Sequence, residues 1–157
     1  MIHLDTSLLV DFLKETGRDA PGPATAFLQA VGEEELAISV HVACELAAGA
    51  ERSKRPERER ERVRRLCDQM TVAYPDERFP AVYARAFGWL EARGQRIATM
   101  DLLIASAALV DEAPLATRNA KDFARVGPTL SVRESQTSTG REIRRARSRS
   151  RSASGRF

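Results

Sequence analysis

Short apolar runs alternate along this chain with longer stretches of helical periodicity, and this alternation constrains the fold more than any other feature. Strands are predicted over residues 2–4, 36–39, 71–74, 114–117 and 130–132, and helices over 7–14, 23–31, 41–50, 56–69, 80–93 and 102–110. Leu8, Leu9, Phe12 and Leu13 share one face of the first helix, and Gly94 marks the end of the helix that starts near Pro80. Strands interleaved with helices argue for a three-layer α/β fold, a central parallel β-sheet flanked by helices. Right-handed crossovers then bring the carboxyl ends of the strands to one edge. At 157 residues the chain holds one domain and at most an appendage. It contains no internal repeat and no glycine-rich phosphate loop.

Four carboxylates lie where this pattern gives them meaning. Asp5 follows the first strand, Glu45 sits on an apolar helix, Asp101 opens the apolar run from Leu102 to Val110, and Asp122 follows the fourth strand by a few residues. In a parallel sheet these positions converge on the edge where open α/β sheets bind ligands. Like charges gathered in one crevice repel, so either some are protonated or a cation holds them. Taken singly, three have simpler roles: Asp101 as N-cap of its helix, Asp5 as cap of the helix near Ser7, and Asp122 in a turn before Phe123. Glu45 resists such a role. It lies among Val42, Ala43, Cys44, Leu46, Ala47 and Ala48, with His41 and Gly49 four residues to either side and no lysine or arginine spaced to pair along the helix. Burying it ionised costs several kcal/mol unless a metal or a distant cation compensates.

Oxygen ligands without Cys or His suit Mg²⁺ or Mn²⁺ better than zinc. Such ions favour phosphate chemistry, so nuclease or phosphatase activity leads. An aspartyl-phosphate phosphatase usually has a second Asp two positions after its first, where this chain has Ser7. Cys44 and Cys67 form no ligand set with the two histidines, and core packing is expected of both.

Charge divides the chain. Residues 136–157 hold seven arginines and one glutamate, net +6, and leave 18 basic and 21 acidic residues, net −3, in residues 1–135. This Arg/Ser-rich tail has almost no apolar periodicity and is expected to be disordered. Its arginines, Arg144, Arg145 and Arg147 among them, either contact RNA phosphates or form a solvated extension. In the block at 57–65, Glu57 with Arg60, Glu59 with Arg62 and Glu61 with Arg65 are spaced to pair along a helix. No apolar run reaches transmembrane length, and Asp5 interrupts what would have to be a signal core, so a cytoplasmic location without membrane contact is expected.

The local sequences resemble the PIN-domain ribonucleases, specifically the VapC-type toxins of bacterial toxin–antitoxin pairs. Ile2-His3-Leu4-Asp5-Thr6-Ser7-Leu8-Leu9 is similar to the family's first motif, with Ser7 where Asn is common. The segment from Ile38 to Gly49 around Glu45 resembles the second motif. Gly94, Ile97 and Asp101 to Ala105 resemble the third, and Thr117-Arg118-Asn119-Ala120-Lys121-Asp122-Phe123 the fourth. The likeness spans about residues 1–133. It implies a PIN nuclease domain over 1–135 that cleaves RNA with Mg²⁺ or Mn²⁺. Asp5 and Asp101 would be the direct metal ligands, with Glu45 and Asp122 completing the site directly or through water. It further implies supporting roles for Thr117 and Asn119, a phosphate contact or a plain surface role for Arg118, a homodimer, and a VapB-like antitoxin. Thr6 and Ser7 fit either the orientation of a carboxylate or helix capping. The tail has no counterpart in the family pattern.

Other residues are expected to be structural: His3 and His41 in packing or capping, Asp11, Lys14 and Glu15 on a solvated helix face, and Tyr83, Phe87, Trp89 and Leu90 in core or dimer contact. Two other readings stay open: a noncatalytic RNA- or partner-binding module that uses the tail, and a PIN nuclease acting in RNA maturation or on DNA.

Overall fold

A computed structural model of the chain describes residues 1–135. The tail, with Arg144, Arg145 and Arg147, lies outside the described residues. The elements run β1 (Ile2–Leu4), α1 (Thr6–Gly17), α2 (Pro23–Val31), β2 (Leu36–Ser39), α3 (Val40–Glu51), α4 (Pro56–Cys67), β3 (Thr71–Ala73), α5 (Phe79–Glu91), α6 (Thr99–Val110), β4 (Leu115–Thr117), α7 (Ala120–Phe123), a 3₁₀ turn (Ala124–Val126) and β5 (Val132–Glu134).

All strand pairings are parallel, in the order β3-β2-β1-β4-β5. β1 is therefore central, flanked by β2 (Ile2 opposite Leu36) and β4 (Leu4 opposite Ala116). From β1 the chain steps outward to β2 and β3, then returns across β1 to β4 and β5. Right-handed crossovers carry the helices of these two directions to opposite faces, which gives the three layers expected from the sequence. The reversal also opens a crevice beyond the carboxyl ends of β1 and β4.

Burial follows this topology. Ile2, Leu4, Ile38 and Leu115 on the inner strands are fully enclosed, as are Leu8 and Leu9 of α1. Each such side chain contributes about 1.5–3 kcal/mol relative to an exposed position. Helix α6 is buried on most sides, through Leu102, Ile104, Ala105, Ala107 and Ala108, and its small residues allow neighbouring elements to come close. A loop of four residues joins α6 to the start of β4, so α6 runs opposite to the strands and its first turn lies at their carboxyl ends. Gly94, at φ 59°, adopts the left-handed conformation just beyond α5, and its amide donates to the Glu91 carbonyl at 3.0 Å. Helix α4 keeps the three expected ion pairs, with Glu57–Arg60 and Glu61–Arg65 at the surface and Glu59–Arg62 part-buried against α1, where Arg62 also donates to the Leu13 carbonyl, while Leu66 is buried and Val63, Cys67 and, just beyond the helix, Met70 pack against the core.

Several expectations are corrected. The last strand is Val132–Glu134 rather than 130–132: Leu130 is buried, but the ladder follows the backbone of β4, with Thr117 opposite Glu134. Helix α7 and the following 3₁₀ turn were not expected. Cys44 is exposed on α3, away from the core, and Cys67 is partly buried. Phe87 is 48% exposed, whereas Leu90 and Tyr83 do join the core. Trp89 is partly buried and carries the Arg93 guanidinium over its ring at 3.2 Å. Glu15 is not merely solvated. Its carboxylate accepts the amides of Gly22, Ala24 and Thr25 at the start of α2. Among the described residues no helix is long and apolar enough to cross a membrane.

Candidate active site

Asp5 stands at the junction of strand and helix. Its amide donates to the Ala116 carbonyl at 2.9 Å, extending the β1–β4 ladder by one residue, and its carbonyl accepts from Leu9 at 3.3 Å as α1 begins. Its side chain is 4% exposed and caps nothing. Instead, Oδ2 accepts the hydroxyl protons of Ser7 at 2.6 Å and of Thr117, at the end of β4, at 2.7 Å.

Glu45 comes from the second turn of α3, which starts directly after β2 with Ser39 as its cap. It is half-buried rather than enclosed, and its partner comes from another element: the Thr6 hydroxyl donates to Oε2 at 2.5 Å. Thr6 and Ser7 thus orient carboxylates, and α1 has no side-chain cap bond.

Asp101 is not an N-cap either. Helix α6 begins two residues earlier, at Thr99, and Asp101 lies inside its first turn. Burial, followed by the charges of Asp5, Glu45 and Asp122, pushes its carboxyl up to about 6. Because those three groups act on Asp101 through space, all four carboxylates share one electrostatic site at the carboxyl edge of the sheet, as the sequence predicted.

Asp122 lies in α7 and completes the group. Asn119 Nδ2 donates to its Oδ2 at 2.5 Å, and Arg125 stands 3.4 Å from Oδ1. Thr117, fully enclosed, also accepts the Asn119 amide at 2.9 Å. Arg118 points outward and pairs with Asp11 at 2.7 Å, so its charge is already matched at the rim of the site.

Three of the four carboxylates therefore share a design. One oxygen is held by a neighbouring hydroxyl or amide: Asp5 by Ser7 and Thr117, Glu45 by Thr6, and Asp122 by Asn119. Among the described residues, Asp5 Oδ1 and Glu45 Oε1 accept no hydrogen bond, and neither is an enclosed atom lacking a partner. Both thus reach the solvent side.

This chemistry suits a hard divalent cation, with oxygen donors alone and mutual repulsion for the cation to relieve. The spacing narrows the manner of binding: among the described residues no three His, Cys, Asp or Glu side chains stand close enough to grip one ion directly. The donor set would suit a cation such as Mg²⁺ or Mn²⁺ that keeps several of its waters, rather than one chelated wholly by protein.

The histidines take structural places. His3 is 1% exposed, with Nε2 2.7 Å from Asp111 Oδ2 at the end of α6. The His41 ring stacks on Phe79 at 5.6 Å, and burial pushes its pKa down. Its Nδ1 is enclosed without a partner.

Comparison with known proteins gives a consistent result. The PIN domain family matches residues 2–128. The chain is similar to "Ribonuclease VapC1" of Methanocaldococcus jannaschii, 30% identical over 126 residues that cover 80% of each protein. It is also similar to "Ribonuclease VapC1" of Haemophilus influenzae strain R2866, 29% identical over 78% of this chain and 90% of that one. Among solved structures, VapBC2 from Rickettsia felis bound to a DNA fragment from its promoter superposes with a TM-score of 0.76 at 28% identity, covering 85% of this chain and 98% of that one. VapBC-1 from nontypeable Haemophilus influenzae superposes at 0.74 and 28% identity, covering 87% and 100%.

Proposed function

Because the chain belongs to the PIN-domain family, we propose that it is a VapC-type toxin, an endoribonuclease dependent on Mg²⁺ or Mn²⁺, acting in the cytoplasm and restrained by a VapB-like antitoxin. The observation that carries this reading is the gathering of Asp5, Glu45, Asp101 and Asp122, where burial and then the charges of the other three raise the Asp101 carboxyl to about 6. A protein gains nothing in stability from such repulsion, and a site for cations and phosphates accounts for it.

Asp5 and Asp101 would hold the cation, with Glu45 and Asp122 completing the site through water. When bound, the cation would neutralise the carboxylates, polarise the phosphodiester and lower the pKa of a bound water. The chain's own groups supply position and proton transfer. Thr6 holds Glu45 by Oε2, which leaves Oε1 to take a proton from the attacking water. The water oxygen bonds to phosphorus, the bond to O3′ breaks, and O3′ takes a proton from solvent, so the products carry a 5′-phosphate and a 3′-hydroxyl. Asn119 steadies Asp122 through its side-chain amide. The cutting function is assigned to residues 1–135, and residues 136–157 form a basic appendage that adds contacts to RNA phosphates.

The test is cleavage of total cellular RNA by the folded wild type and by Asp101→Asn, with Mn²⁺, Mg²⁺ or chelator. Fragments with 5′-phosphate ends from metal-loaded wild type alone are expected. Wild type that is folded, free of antitoxin and inert on the whole RNA pool would move the assignment to a noncatalytic binding module.

A further inference from the structure

Ser7 sits at the second position of α1, where its hydroxyl is free of capping duty. A hydroxyl has one proton to give. Ser7 gives its proton to Asp5 Oδ2 at 2.6 Å, and Thr117 gives its own to the same oxygen at 2.7 Å. The two hydroxyl oxygens, 3.4 Å apart, accept in turn from consecutive backbone amides of the loop after β4: Arg118 N–H to Ser7 Oγ at 3.3 Å and Asn119 N–H to Thr117 Oγ1 at 2.9 Å. Each hydroxyl therefore donates once and accepts once. Two parallel relays run from a fixed backbone to one carboxylate oxygen.

The consequence falls on Asp5. The last torsion of an aspartate is broad and nearly two-fold, so an unrestrained carboxylate exchanges its oxygens readily. With both relays ending on Oδ2, rotation would break two bonds at once, and Oδ1 remains the oxygen without a hydrogen bond, open to the crevice. We propose that Ser7 is a positioning residue which, together with Thr117, locks Asp5 with Oδ1 toward the crevice and thereby sets the affinity of the site for a divalent cation. The proposal rests on the metal-dependent reading above and extends it to a residue outside the acidic set. Mg²⁺ and Mn²⁺ demand well-aligned oxygen ligands, so the orientation of one ligating carboxylate carries much of the binding. Loss of a hydrogen bond to a ligating group commonly lowers metal affinity by about 10–100-fold.

Ser7→Ala removes the proton donor, and Ser7→Thr keeps it. Mn²⁺ binding to the full chain is measured by titration calorimetry, folding by circular dichroism, and the Mn²⁺ concentration for half-maximal RNA cleavage in parallel. Ser7→Ala is expected to be folded and to bind Mn²⁺ about 10-fold more weakly or worse, with the half-maximal concentration rising by the same factor and Ser7→Thr close to wild type. Unchanged Mn²⁺ affinity in Ser7→Ala overturns the proposal, as does a Ser7→Thr variant that binds as weakly as Ser7→Ala, or a wild type that binds no Mn²⁺. Wild type that binds Mn²⁺ but cleaves no RNA overturns the nuclease assignment alone, and the affinities of the variants still decide the role of Ser7.

Discussion

The Thr6 hydroxyl donates to Glu45 Oε2 at 2.5 Å, so the first residue of α1 holds the carboxylate that projects from α3. This bond links two elements 39 residues apart and leaves the other oxygen of Glu45 without a hydrogen bond among the described residues. Thr6→Val keeps the shape of the side chain and removes the donor. A single hydrogen bond contributes only about 1 kcal/mol to stability, so the variant should fold with a melting temperature close to wild type. Its effect should appear in kcat, because a carboxylate displaced by a fraction of an ångström serves poorly as a proton acceptor. Steady-state cleavage of a defined RNA is expected to show kcat about 10-fold lower or more, with KM little changed. Full activity in Thr6→Val would refute the assigned role of Glu45 orientation.

Asp101 gives a prediction about stability whose sign is the reverse of most single substitutions. Its folded carboxyl titrates near 6, above the ordinary 3.8, because of burial and the neighbouring carboxylates. Between those values the folded state holds more proton than the unfolded chain, so stability falls as pH rises through the window and stays lower above it. Asp101→Asn removes the charge. In chelator at pH 8 it should melt higher than wild type by roughly 2–4 °C, the equivalent of about 1 kcal/mol once the half-exposed setting is discounted. At pH 4 the difference should nearly vanish. A variant that melts lower than wild type at pH 8 would show that the repulsion is not present.

Thr25 gives both its amide, at 2.8 Å, and its hydroxyl, at 2.6 Å, to Glu15 Oε2. Glu15 thus acts as the missing cap of α2, whose own N-cap position is Gly22 and offers no side chain. Burial raises the Glu15 carboxyl, but the bonds from Thr25, Ala24 and Gly22 together hold it below its usual 4.5. The contribution is therefore present above that value and is lost as pH falls through the lowered one. Glu15→Ala should destabilise the domain by about 1–2 kcal/mol at pH 7, in the range of a lost cap, and by less at pH 3.5. Urea unfolding at the two pH values measures this, and RNA cleavage should persist.

These residues also show how far the sequence is legible. Asp5, Glu45, Asp101 and Asp122 could be picked out because the strand–helix pattern fixes which ends of elements meet, and apolar periodicity reports that pattern directly. Their partners were harder to see. Nothing local tells that Thr6 serves Glu45 or that Glu15 serves α2, since each bond depends on how separate helices pack. The start of α6 at Thr99 carries no local signal, because Ala98, its N-cap, has no capping side chain, while Asp101 two residues on has the chemistry of a cap. The last strand was placed two residues early because the apolar residue Leu130 is buried outside the ladder, while the exposed Glu134 is inside it. Helix α7 has four residues, too few for any hydrophobic period to register.

Under the proposed function, the charge division of the chain should separate cutting from holding. Residues 1–135 contain the whole acidic site and carry net −3, while residues 136–157 carry net +6. An acidic domain repels RNA, so the tail arginines should serve affinity more than chemistry. A chain ending at Ser135 is expected to keep metal-dependent cleavage with kcat within a few-fold of the full chain. Its KM should rise, and its kcat/KM should depend less steeply on salt, since each phosphate contact to a single strand contributes a slope of about −0.7 in log–log form. Cleavage rates over a salt series for the two chains measure this directly. A shortened chain that is folded but no longer cleaves would assign the tail to the active site, whereas identical salt slopes would leave it without contact to RNA.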